Sequence, residues 1–80
     1  MFRVSIEDVN TCAVSLDARF ADLQTAMDTV ASMIPNVRDL DFLCLDLDNN
    51  QHCRFFAGIG RDGSELAATI CDHGYCVNAA

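Results

Sequence analysis

The feature that most limits this chain is one amphipathic stripe closed by its only proline. Phe20, Leu23, Met27, Val30 and Ile34 recur at spacings of three and four, which puts them on one side of a helix. Asp22, Thr25, Thr29 and Ser32 lie away from that side. Asp17 is placed to cap the start, because a carboxylate there accepts orphan backbone N–H groups at the positive end of the dipole. Pro35 disfavours helical geometry at Ile34 and has no N–H to donate onward. The spacing predicts a helix over residues 17–34.

The flanking segments read as strands. Phe2, Val4 and Ile6 alternate with Arg3 and Ser5, the pattern of a half-buried strand. Residues 7–11 are polar and turn-like. Cys12, Val14 and Leu16 alternate again, and two readings stay open: a short strand pairing back, or a lead into the helix. Residues 40–48 and 53–59 are two β-compatible runs around an Asn-rich turn, which makes a hairpin. An Asp-Gly turn at residues 60–64 then leads to residues 65–71, favoured as a third strand of a meander. A short helix is the rival there, since Glu, Leu and Ala all favour helix. Residues 75–77 offer one more edge. The expected fold is a single α+β domain over residues 1–80, one amphipathic helix on a small antiparallel sheet, in the order β-α-β-β-β. Leu43, Leu45 and Leu47 would meet the helix. Phe42 and Cys44, joined by Phe55 or Phe56, would lie on the uncovered face, where apolar side chains suggest a homodimer or partner contact.

Charge narrows the function. Twelve carboxylates face five arginines and no lysine, a formal net charge of −7. Such a chain repels DNA, RNA and anionic lipid and attracts basic surfaces. No run of apolar residues is long enough to span a membrane. Residues 1–8 lack the basic start and unbroken apolar run of a secretory leader, so a cytoplasmic setting in a bacterial host is expected. The five cysteines, Cys12, Cys44, Cys53, Cys71 and Cys76, are odd in number and form no regular framework, so reduced thiols packed as small hydrophobes are the expectation.

Motifs for chemistry are weak. Cys71, His73 and Cys76, with His52 or Cys53 as a fourth donor, could be assembled into a zinc site, but structural sites pair two short knuckles and only one irregular cluster is present. No metal or other cofactor is therefore assigned. Cys71 or Cys76 beside His73 has the atoms of an activated thiolate without an oxyanion loop. The Asp46–Asn50 run has alternate oxygens, yet Gln51 and Ala57 stand where a calcium loop needs glycine and glutamate. Gly58 and Gly60 lack the further glycine of a dinucleotide loop. An enzyme is not expected. What remains is the carboxylate pattern: Asp39, Asp41, Asp46, Asp48, Asp62 and Glu65 concentrate on the strands and their turns, with Glu7 and Asp8 after the first strand. Carboxylates on a stiff sheet can stand where phosphates would and engage arginine and lysine.

In size, acidity and compact α+β pattern, and in those six acids, the chain resembles the small anti-CRISPR proteins of phages and mobile elements, a class with no shared sequence signature. The resemblance implies stoichiometric binding, as monomer or homodimer, to the basic surface of a CRISPR effector complex, with type I as the expected kind. The alternatives weighed from the residues are a small oligomerising module and a zinc-stabilised domain.

Overall fold

The computed structural model describes residues 1–46 and 51–73, with the side chains of residues 1–40 and 52–72. The order is β1 (Phe2–Asp8), β2 (Val14–Phe20), α1 (Leu23–Met33), β3 (Arg38–Asp46), β4 (Gln51–Ile59) and β5 (Glu65–His73). One antiparallel sheet of five strands has the spatial order β2-β1-β5-β4-β3. β1 and β2 form a hairpin, and β3 to β5 form a meander whose last strand docks beside β1. The chain therefore passes from one sheet edge, β2, to the other, β3, and α1 is the segment that makes this crossing.

The α+β class, the single helix and the 65–71 strand follow the sequence reading; the order does not. It is β-β-α-β-β-β, because residues 14–20 pair with β1 from Val14 opposite Glu7 to Phe20 opposite Phe2. The helix accordingly begins at Leu23, not residue 17, and Asp22 is its cap instead of Asp17: the Asp22 carboxylate accepts from the Thr25 N–H at 2.8 Å. Phe20, placed on the helix by its spacing, belongs to a strand. The exit matches expectation, with Ile34 as C-cap donating its N–H to the Val30 carbonyl at 2.9 Å before Pro35. The turn at 47–50 and the segment 75–77 fall outside the described residues. So do the side chains of Phe42, Leu43, Cys44, Leu45 and Leu47, on which the expected facing of β3 rested.

The core follows strand alternation. Phe2, Val4 and Ile6 of β1, Leu66, Ala68 and Ile70 of β5, and Phe56 of β4 share the face that α1 covers, as the register Val4–Ile70, Ile6–Ala68 and Phe56–Ala68 requires. Ala26, Val30 and Ile34 close the layer from the helix side. Each fully buried valine or isoleucine contributes about 1.5–3 kcal/mol over leaving it in water. Gly58 makes the close approach of the helix exit possible. A Cβ there would lie 2.5 Å from Ile34 Cγ2 and 3.0 Å from the Asn36 carbonyl.

The expectation of reduced thiols is overturned for two of the five cysteines. Cys53 and Cys71 sit directly opposite on β4 and β5, and a disulfide joins them. The expected meander already set these two strands side by side, but the pairing of Cys53 with Cys71 depends on their register, which the sequence reading did not assign. Cys12 is a free, exposed thiol.

Candidate partner-binding surface

Five of the six candidate acids fall within the described backbone, and they occupy different parts of the sheet and its turns. Glu65 opens β5 opposite Ile59, and Asp62 sits in the β4–β5 turn just before it. Asp46 ends β3 opposite Gln51, which pairs with His73 at the far end of the same ladder. Eight residue steps separate Glu65 from His73, so the two ends lie roughly 25 Å apart at the rise of an extended strand. The structure brings Asp62 and Glu65 to one end and Asp46 to the other. Asp39 lies on β3 facing the helix side, where it takes a hydrogen bond from Arg54 Nη2 at 2.9 Å. The side chains of Asp41 and Asp46, and all of Asp48, lie outside the described residues.

The end that holds Asp62 and Glu65 is built from turns whose carboxylates are already occupied. Asp8 Oδ1 accepts from the N–H groups of Asn10 and Thr11 at 2.8 and 3.1 Å, shaping the β1–β2 turn around Cys12 at φ 61°. Asp62 Oδ1 accepts from the Ser64 N–H at 3.0 Å, and that bond holds its carboxyl below the ordinary carboxylate range. The Val9 N–H reaches the Glu65 carbonyl at 3.0 Å, tying the two turns together. Arg61 Nε donates to the Ser32 carbonyl at 2.8 Å and so satisfies an orphan acceptor at the helix C-terminus. Between these parts lies an open cleft of about 470 Å³ lined by Asp8, Ser15, Ser32, Arg61, Asp62 and Ser64 among others. One arginine and two turn-forming aspartates give it mixed charge.

The sheet face away from α1 carries Arg3, Ser5, Asp17, Arg19, Phe55, Thr69 and the Cys53–Cys71 disulfide. Phe55 is the phenylalanine on this face; Phe56 lies in the core at 5% exposure, which settles the alternative left by the sequence. Arg54 stands over the Phe56 ring at 5.8 Å on the covered face and joins it to Asp39. Arg3 grips Asp17 in a two-point fork, Nε to Oδ1 at 2.9 Å and Nη2 to Oδ2 at 2.8 Å. That fork lowers the Asp17 carboxyl and raises the Arg3 guanidinium from their usual values.

Asp72 was missed by the sequence reading. It falls opposite His52 on β4 and beside Phe2 on β1, at the Asp46 end of the ladder. Strand alternation from Leu66, Ala68 and Ile70 contained the signal, since it carries Asp72 to the same side just beyond the core. For the zinc alternative, the disulfide occupies Cys53 and Cys71, two of the donors it would draw on. Among the described residues no group of three or more metal-ligating side chains converges. Among the described residues no helix is long and apolar enough to cross a membrane.

Comparison with known proteins adds no relative: no family model matches the chain, nor does any curated protein or solved structure.

Proposed function

We propose that this protein is a stoichiometric binding domain whose acid excess recognises a basic, nucleic-acid-binding surface on another protein. The observation that carries this reading is the placement of charge. No polar or charged residue is buried among the described ones, while carboxylates outnumber arginines by twelve to five over the chain. Arg3 and Arg54 are each paired with a carboxylate of the same chain, and Arg61 is committed to the helix end. Among the described residues every carboxylate side chain therefore reaches the surface, on a fold whose three meander strands are each nine residues long. Such a surface steers association with a cationic groove and competes with the phosphates that groove would hold.

In its specific form, suggested by the class resemblance, the target is a type I CRISPR effector complex in the cytoplasm of a bacterial host. Asp46 ends β3 at one end of the sheet, and Asp62 and Glu65 stand at the other, so the reading assigns contact to one of two separable surfaces. In that compartment the Cys53–Cys71 pair would rest reduced and close on oxidation. No bond-making step is assigned to the chain.

The test is displacement of a labelled target duplex from a purified type I surveillance complex by added protein at low salt. Release that saturates near one protein per complex supports the reading. The Asp46→Asn/Asp48→Asn and Asp62→Asn/Glu65→Gln doubles then locate the contact, since only one should weaken release. Retention of the duplex at large protein excess rejects the CRISPR target. If other basic nucleic-acid-binding proteins also keep their nucleic acid, the mimicry reading goes with it.

A further inference from the structure

The two edges of the sheet are not alike. β3 follows Pro35 and pairs irregularly with β4 between Asp39 and Leu43, a break of the kind that blunts an edge. β2 pairs with β1 in unbroken register from Phe20 to Leu16, with no proline, and among the described residues its outer side meets no other strand. On the face away from the helix this edge strand shows Asp17 and Arg19, two residues apart. Arg19 stands directly opposite Arg3, a like charge that is already forked onto Asp17. Among the described residues Arg19 makes no ion pair.

We propose that the protein forms a symmetric homodimer by antiparallel pairing of two β2 edges in a register centred on Ala18. In that register Asp17 faces Arg19 of the second copy and Arg19 faces its Asp17, so the two-fold axis creates two opposite-charge cross-strand pairs at once. Leu16 faces Phe20 of the second copy on the helix side, extending the half-buried apolar rows of each subunit. Asp17 can serve both arginines, because the fork from Arg3 leaves lone pairs on each carboxylate oxygen. Moving the register two residues either way would instead set Asp17 against Asp17 or Arg19 against Arg19. The product is a continuous sheet in which the five strands of each copy run on from the other. It uses a different surface from the acidic sheet ends and stands independently of the proposed partner.

The test uses charge reversal in a Cys12→Ser background, which removes the exposed thiol as a source of cross-links. Sedimentation equilibrium of the parent should show a concentration-dependent dimer. Arg19→Asp keeps the Arg3–Asp17 fork, relieves the Arg3–Arg19 opposition and sets acid against acid across the axis. It should weaken self-association on the order of tenfold with an unchanged circular dichroism spectrum. Asp17→Arg should do likewise, and an equimolar mixture of the two variants should recover a dimer of one copy each. In the parent, backbone amides within residues 15–19 should also exchange more slowly as dimer accumulates, a readout that needs no variant to fold. A parent that stays monomeric at high concentration overturns the proposal. So does a dimer that survives Arg19→Asp, or one that forms without added protection in β2.

Discussion

At the residue scale, the contact that fixes the helix exit is Ile34 against a position with no side chain. Gly58→Ala would push a methyl into Ile34 Cγ2 and the backbone of Asn36 and Val37, and should cost about 1–3 kcal/mol in denaturant unfolding. Ile34→Ala, which empties a fully buried site, should cost about 2–5 kcal/mol. Because it also removes the clashing methyl, the double variant should be more stable than the two losses added together, and simple additivity would show that the contact is not the cause. Asp22 makes a second prediction. Its bonds to the Thr25 N–H and hydroxyl hold its carboxyl below the ordinary range, so the unfolded chain takes up its proton first on acidification. The cap's stabilisation is present above an ordinary aspartate pKa of about 4 and is lost as pH falls through the native value. Asp22→Asn should keep much of the neutral-pH melting temperature and flatten its fall in acid, whereas Asp22→Ala should lower it by a few degrees at neutral pH. The sequence pointed to an aspartate cap and chose the wrong one. Asp17 and Asp22 are both plausible starts from spacing alone, and it is the pairing of Asp17 with Ser5 on β1 that places Asp17 in a strand.

At the element scale, strands with strict alternation were legible and the one with mixed signals was not. β1 was read from period two, the hairpin from two β-compatible runs around an Asn-rich turn, and β5 was chosen over a helix because an Asp-Gly turn precedes it. β2 stayed open between a short strand and a lead into the helix, because Phe20 fits the helical stripe with Leu23 and Met27 as well as the strand. Pairing with β1 decides between them, and pairing is a long-range fact. The disulfide belongs to this scale, since it links neighbouring strands and closes a loop with a sequence separation of 18. Reduction, or Cys53→Ser with Cys71→Ser, should lower unfolding stability by roughly 2–4 kcal/mol if the denatured chain is the state constrained. Intact mass with and without reductant, beside denaturant curves, checks both the bond and its effect. Equal curves would show that the bond adds nothing to the fold.

At the scale of the whole molecule, composition gave the net charge directly, but it could not say that Asp46 would stand at one end of the ladder and Asp62 and Glu65 at the other. A formal charge of −7 on eighty residues also opposes compaction through self-repulsion. Moderate salt should therefore raise the melting temperature by screening. A melting temperature indifferent to salt would mean that the carboxylates are too far apart to feel one another. The same field governs how a basic partner would be met, and its most direct test is the association rate with the surveillance complex as ionic strength is varied. If outward negative charge drives recognition, the rate should fall by about tenfold or more between about 50 and 200 mM salt. A rate that does not change over that range would contradict the account.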